Sequence, residues 1–568
     1  MRPNTVRLMS LIIAFCLILT FAGCDKSGQS GNNSKPANNE TNQKLVNLFV
    51  DGKANFVIVR SSSATDAVID ATNNFRKTIS KGAMKVDFKL DKVAENKEKI
   101  ELLIGDTNRK ESAEALKLLK ANRNPCTFDF MICYKNNKIC IVAGSDDVID
   151  DALNQFTKDF LSNKKTTFTE NYSAIYSNKR KISQPTVNGI DLKKFVIVKQ
   201  AYNMSYLAGK QINKLAEDIY NYTGYSMEVV NDRTEEKTYE IVIGDSSRAG
   251  TKKLDGSNWE ISVSNNKVYI NGGDVYSLSA AIEEFGAQIK KNGDIKPKKG
   301  EAEKTTSDGY SLTWADEFNG SKLDSKIWSF IKKSGGNACT EGWTMQFVDD
   351  PSLAYVKDGN LTILATKDDA TKTYKAVELH SMLGMWYRDG YIEISCRIPR
   401  SPGFGPAFWA KGSHPEIWPE IDYMEYFGTN GQIKGTLLGW AGSEIFTHGW
   451  TDGEFYTNKF KREDSYFQMP AGENLYDEYH TIGFEWDEYS AVWSIDGVEY
   501  ARCDELATYS EKMNATFHQN MYLLFSMQTG HKSSIRLPVD KTTNWAENDF
   551  VIDYVRVYQK PGQILDAK

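Results

Sequence analysis

The sequence predicts a multidomain chain in which two copies of a small α/β domain precede an all-β antiparallel sandwich. Three observations carry this. At 568 residues the chain is too long for a single core, and length alone points to about three or four domains. An internal repeat fills much of the first half: Phe56-Val57-Ile58-Val59 recurs as Phe195-Val196-Ile197-Val198, and Ile104-Gly105-Asp106 as Ile243-Gly244-Asp245, both at an offset of 139 residues. From Tyr310 to Tyr558 short strand-like runs are broken by Gly, Asp and Asn, as in an antiparallel sandwich.

At the N-terminus, Arg2 and Arg7 accompany an apolar run over 8–22 that ends Phe21-Ala22-Gly23-Cys24. The run is short for a bilayer span and has the form of a signal peptide. Small residues directly before a Cys look like a bacterial lipoprotein signal. Removal of residues 1–23 and lipidation of Cys24 are therefore expected, giving an exported cell-surface lipoprotein anchored to a bacterial membrane; the alternative is a secretory signal with an incidental Cys. Residues 24–44 carry no large apolar side chain and read as a flexible tether with a reach of roughly 25 Å.

The repeats span 45–180 and 181–295. Each copy reads as a strand, a helix (64–79; 205–222), a strand ending in Ile-Gly-Asp, a hairpin turning at Asn136-Asn137 or Asn265-Asn266, and a closing helix (148–161; 275–289). The first copy holds about ten extra residues, assigned to a helix over 112–121. The layout resembles the small α/β domains that precede catalytic domains in hexosaminidase-like and α-glucuronidase-like enzymes, which implies spacing, docking or weak glycan contact. Asp106 and Asp245 follow Gly at a strand end, where a turn or capping role suffices. Residues 296–308, rich in Lys, Gly, Glu, Thr and Ser, read as a linker, and 309–560 as the sandwich.

A hydrophobic fraction of 40% with 25% charged residues is that of a soluble globular protein. The formal charge of -6 becomes -8 without residues 1–23, a mild acidity that gives no reason to expect nucleic acid as partner. The 28 Tyr and 12 Trp offer flat faces suited to sugar rings, although most serve a sandwich core equally well. Once residues 1–23, with Cys16, are removed, three cysteines besides Cys24 precede the linker and three follow it, so neither part pairs completely within itself. Cys133 and Cys140 fall opposite each other in the Asn136-Asn137 hairpin at a hydrogen-bonded position, which suits a disulfide poorly. Free, buried thiols are expected, and no spacing resembles a zinc site.

The densest chemistry lies in Trp418-Pro419-Glu420-Ile421-Asp422-Tyr423-Met424-Glu425-Tyr426. In a strand Glu420 and Asp422 share one face, and Glu425, at an odd offset, would point into the opposite layer. Burying an ionised carboxylate there is costly. A one-residue bulge at Tyr423 or Met424 would return Glu425 to the face of the other two. Retaining glycoside hydrolysis needs two carboxyl groups roughly 5 Å apart. With one residue lost to the bulge the Cα atoms of Glu420 and Glu425 should be about 13 Å apart, a gap that two Glu side chains leaning inward on a concave sheet can largely close. A solvated strand with alternating acids is the competing explanation, although clustered like charges repel.

The flanks carry a family resemblance. Trp314-Ala315-Asp316-Glu317-Phe318-Asn319-Gly320, Asp358-Gly359-Asn360-Leu361, Gly390-Tyr391-Ile392-Glu393, Pro406-Ala407-Phe408-Trp409, the acidic strand, and Asp553-Tyr554-Val555-Arg556-Val557-Tyr558 follow one another as in glycoside hydrolase family 16, the laminarinase, lichenase, agarase and carrageenase group. The resemblance implies a concanavalin-like β-jelly roll with a glycan cleft on its concave face. It implies Glu420 as nucleophile, Glu425 as acid and base, and Asp422 as the residue that positions and tunes Glu420. Trp409, Trp418, Tyr426, Trp386 and Trp440 become candidates for stacking on sugars, and His448 for bonding a sugar hydroxyl. It implies no cofactor for catalysis and a structural calcium near Glu317, Gly359 and Asp553.

The sequence departs from the family pattern at Gly405, Tyr391, Ser395 and Leu438 and across Ser526-Met527-Gln528-Thr529-Gly530, positions that tend to touch substrate, which weakens a β-1,3-glucan assignment. The expected function is a retaining endo-β-glycanase acting on an extracellular polysaccharide: a β-1,3- or mixed-linked glucan, or a β-galactan of the agar or carrageenan type. The alternatives are a transglycosylase on the same substrates and a non-catalytic surface glycan-binding lipoprotein.

Overall fold

The computed structural model describes residues 45–567 except 82–84, 163–166, 171, 179–181, 332–344, 369–372, 414–417, 427–431, 442–443, 448–465, 489, 504–518, 530–538 and 540. The leader, the tether, Cys24 and His448 lie outside the described residues. Among the described residues no helix is long and apolar enough to cross a membrane.

The two α/β units repeat each other strand for strand. In the first, the order across the sheet is Asp87–Leu90, Phe56–Arg60, Ile100–Ile104, Lys138–Ala143, Phe130–Lys135 and Ser173–Tyr176. In the second it is Val229–Asn231, Val196–Lys199, Glu240–Ile243, Lys267–Gly273, Gly256–Ser264 and Lys298–Glu301. The first four strands of each are parallel and the last two antiparallel. Both hairpins turn on asparagines with positive φ, Asn136 and Asn137, Asn265 and Asn266, as a two-residue primed turn requires. The extra helix of the first copy is Lys110–Asn122. Cys133 and Cys140 are register partners and free thiols.

The second sheet corrects the assignment of 296–308 as a linker. Lys298–Glu301 pairs with Gly256–Ser264 and takes the edge position that Ser173–Tyr176 holds in the first copy. Its charged side chains hid it, because an edge strand has one open side and tolerates lysines there. Gly300 lies on the Trp259 indole, where an added Cβ would come within 2.5 Å of the ring.

A buried polar device is also duplicated. Arg109 donates to Glu101 (3.1 Å) and to the carbonyls of Asp91 and Val93; Arg248 donates to Glu240 (3.2 Å) and to the carbonyls of Asp232 and Thr234. The carboxylates of Asp91 and Asp232 in turn accept backbone N–H groups from the loops that follow two strands, Ser62 and Asn108, Ala201 and Ser247. Removing Arg248 would leave the Glu240 carboxylate with Lys267, at 2.7 Å, as its remaining cation and the Asp232 and Thr234 carbonyls without their donor, a buried network broken on one side. Arg248→Met is therefore expected to destabilise its domain by about 3 kcal/mol, measured as a shift of the urea midpoint at constant slope.

The third unit is the expected sandwich. One sheet runs Ala354–Lys357, Asn360–Ile363, Phe550–Gln559, Gly390–Arg397, His480–Trp486, Ala491–Ile495, Val498–Cys503, with Ser311–Asp316 also on Phe550–Gln559. The other runs Ser329–Phe330, Glu378–His380, Met521–Thr529, Phe404–Gly412, Trp418–Tyr426, Gln432–Ala441, Glu444–Thr447. Between them Phe408 stacks on Phe525 at 5.2 Å, and Tyr423 meets Phe408 and Phe484 at 4.8 and 4.7 Å. The second α/β unit covers the outer face of the first sheet through Tyr206, Leu207, Tyr276, Tyr310, Tyr391, Val492 and Tyr558. The catalytic candidates lie on the other sheet.

Candidate active site

The acidic strand Trp418–Tyr426 owes its geometry to the bulge the sequence demands. On one side, Phe408 pairs with Met424 and Trp409 with Asp422, so Tyr423 is passed over. On the other side, Asp422 pairs with Thr436 and Glu425 with Lys434, three residues against two. Ile421, Tyr423 and Met424 are all fully buried in the sandwich core. Glu425 thereby regains the face of Glu420 and Asp422. The core clamps the bulge from behind: Trp493 Nε1 donates to the Asp422 carbonyl at 3.0 Å, and the Tyr423 and Tyr387 hydroxyls are hydrogen bonded to each other.

Directly opposed residues in antiparallel strands share a face, so the register gives the cleft floor in three rows. One row is Glu420, Lys411, Tyr522; the next is Asp422, Trp409, Leu524, His380; the third is Glu425, Ala407, Ser526, Glu378. Glu420 and Glu425 are partly exposed, whereas Asp422 is buried at 5% exposure. Trp409 is partly exposed and anchored by its Nε1 donating to Ser526 Oγ at 3.2 Å, which fixes the indole beside Asp422. Trp386 meets Tyr522 edge to face at 4.8 Å and donates to the Met382 carbonyl, so it joins the wall near the Glu420 row. Burial together with the charges of Glu378 and Glu420 pushes the Tyr522 hydroxyl up to about 12, keeping it protonated at neutral pH. Burial pushes His380 down, and its Nδ1 accepts the Met382 N–H, so the imidazole is neutral.

Other candidates from the sequence separate. Tyr426 is not a sugar platform: one step beyond Glu425 it turns to the other face and packs in the core, 8% exposed. Trp418 and Trp440 are backbone partners across two strands. Tyr391 and Ser395 leave the list of substrate-facing departures, because both lie buried in the opposite sheet, Tyr391 beneath the second α/β unit. Gly405 pairs with Gln528 at the cleft end of its strand.

The calcium set does not fit as assembled. Both Glu317 oxygens accept from Arg556, at 2.7 and 2.8 Å. Asp553, raised by burial, shares that neighbourhood, and Gly359 serves a hairpin turn at φ +76°. Among the described residues no group of three or more His, Cys, Asp or Glu could hold a metal ion.

Lys411 was legible but overlooked, two residues from Trp409 on the same strand and hence on the same face. Tyr522, Ser526, Glu378 and His380 carried no such signal, since only strand order brings them to the acids.

Several known proteins are similar to part of this chain. Glucan endo-1,3-beta-glucosidase A1 of Niallia circulans is 25% identical over 279 residues, with 44% of this chain and 38% of that protein covered. The chain thus spans well under half the length of that relative. The endo-beta-1,3-glucanase of Pyrococcus furiosus is 24% identical with a TM-score of 0.35, covering 44% of this chain and 95% of its own. The laminarinase catalytic domain of Thermotoga maritima MSB8 is 24% identical with a TM-score of 0.36, covering 44% and 99%. Residues 344–555, which hold the whole acidic strand, match the family model of Glycosyl hydrolases family 16.

Proposed function

We propose that the sandwich is a retaining endo-β-glycanase, with a β-1,3- or mixed-linked glucan as the leading substrate class and a β-galactan as the second. The observation that carries the proposal is the bulge at Tyr423 and Met424, which gathers Glu420, Asp422 and Glu425 on one open face. A solvated strand has no need of a bulge that brings three repelling acids onto one face. The glucan preference is supported by the Niallia circulans relative, named as a glucan endo-1,3-beta-glucosidase.

In this reading the Glu420 carboxylate attacks the anomeric carbon while the Glu425 carboxyl gives its proton to the glycosidic oxygen, and the carbon–oxygen bond breaks to release one half of the chain. Water then delivers its proton to Glu425 and attacks the same carbon, freeing Glu420. Two inversions leave the configuration retained. Glu425 thus serves as acid in the first step and as base in the second. Asp422 orients Glu420, and Trp409 offers the nearest stacking face. Export through the leader, with lipidation at Cys24, belongs to the same proposal: it would hold the enzyme where polysaccharide is met.

The test uses the full chain on laminarin, lichenan, agarose, carrageenan and porphyran. Products with β configuration at first release, and a linkage analysis naming one glycan, are expected. Equal binding of a glycan by wild type and Glu420→Gln, with no product from either, would make the protein a glycan-binding one instead.

A further inference from the structure

The cleft floor is crowded with acids, and Lys411 stands among them beside Glu420. Lys411 is the register partner of Glu420 across adjacent strands, while Tyr522 partners Lys411 from the other side. Such partners hold their Cβ atoms about 5 Å apart on one face. The Lys411 ammonium lies 5.8 Å from the centre of the Trp409 ring, so its side chain reaches along the floor towards the row that holds Asp422.

The groups around Glu420 can be taken strand by strand. Its own strand brings Asp422 and Glu425. The strand Phe404–Gly412 brings Lys411, with neutral Trp409 and Ala407. Beyond it Met521–Thr529 brings Tyr522, whose hydroxyl keeps its proton, and Glu378–His380 brings the Glu378 carboxyl and a neutral His380. On the other flank Leu438 is the register partner of Glu420, and Lys434 is that of Glu425. The charges surrounding Glu420 on its own strand are thus negative, and each disfavours its ionised form. A nucleophile held by such neighbours alone would take up a proton and lose its power to attack.

We propose that Lys411 is a positioning residue that keeps Glu420 ionised and aimed, offsetting the charges of Asp422 and Glu425. This rests on the nucleophilic role of Glu420 given above. A role in gripping an anionic sugar substituent is less favoured, because the acids opposite and diagonal to Lys411 would repel an anion.

The experiment compares wild type, Lys411→Met and Lys411→Arg in the full chain. An opposite charge beside a carboxyl lowers its pKa by about 1–3 units. Partial exposure reduces this, so the acid limb of the kcat/KM profile is expected to move up by about one pH unit in Lys411→Met. The basic limb should move less, and Lys411→Arg should restore both. An unmoved acid limb in a folded Lys411→Met protein would overturn the proposal.

A second measurement needs no substrate. In a double-mutant cycle of Lys411→Met with Glu420→Gln, thermal midpoints should show coupling at pH 7. The coupling requires Glu420 to be ionised, so it is lost as pH falls and that carboxylate takes up a proton. The coupling should accordingly vanish near pH 3, and its absence at pH 7 would also overturn the proposal. If instead the coupling is present while Glu420→Gln retains activity, the electrostatic pairing stands and the assignment of Glu420 as nucleophile fails.

Discussion

Glu425→Gln is expected to lower kcat on a polysaccharide by about 10²–10⁴-fold, the usual worth of a positioned general acid, with the fold unchanged. The amide is isosteric, and the position faces Ala407 across the strand pair. The loss should depend on the leaving group. With an activated aryl glycoside the first step needs little protonation, so the glycosyl-enzyme would accumulate and a burst of phenol should precede slow turnover. Added azide should then attack the intermediate and give a glycosyl azide of retained configuration. Glu420→Gly differs in a way only the two-step mechanism explains: azide would enter the space left by the nucleophile and yield a product of inverted configuration. If both variants gave the same anomer, the division of roles between Glu420 and Glu425 would be wrong.

The gathering of the three acids on one face could be read from nine residues because their pattern conflicts with a regular strand. Either the third acid is misplaced or the strand bulges, and the hydrophobic demand at Ile421, Tyr423 and Met424 decides in favour of the bulge. The asparagine turns were legible for a related reason, since few residues other than glycine accept positive φ at two consecutive positions. What failed to show was whatever depended on distant pairing. Tyr522 reaches Glu420 only because Met521–Thr529 lies beside Phe404–Gly412, and no local pattern encodes that order. Lys298–Glu301 looked like linker because the sheet it completes supplies the order that its own charged residues do not. Tyr426 stood among the stacking candidates, although in a strand the immediate neighbour of Glu425 faces the opposite way.

Gly209→Ala should loosen the second α/β unit from the sandwich and cost about 3 kcal/mol, the upper part of the range for overpacking. The helix Tyr206–Thr223 meets the turn between Ala491–Ile495 and Val498–Cys503 at two glycines: a Cβ on Gly209 would sit 1.9 Å from the Gly497 carbonyl oxygen and 2.7 Å from its carbon. The approach is close over the whole contact: Gly497 has φ +75°, and a Cβ added there would in turn come within 2.8 Å of Met204 Cγ, just before the helix. The helix must therefore move outward. In doing so it would strain a set of polar links: the Tyr206 N–H to the Tyr391 hydroxyl at 3.1 Å, the Tyr206 hydroxyl to Glu499 at 3.0 Å, the Asn203 N–H to Asp496 at 2.8 Å and Lys210 to Glu485 at 2.8 Å. The tyrosine cluster behind them would open to water. For units of this size the loss corresponds to a fall in Tm on the order of 6–12 °C. Gly286→Ala provides the control in the neighbouring helix Val275–Asn292, where the added methyl would lie 3.6 Å from Leu215 Cδ1, an ordinary contact. Alanine is a better helix former than glycine by up to about 1 kcal/mol, so this variant should match or exceed wild type. Should the two behave alike, the glycine pair would be incidental and the α/β unit only loosely tethered. Should they diverge as expected, the second repeat is an integral wall of the sandwich. The acidic strand would then depend on it indirectly, because the same sheet that the repeat covers supplies Trp493, whose indole holds the Asp422 carbonyl in the bulge.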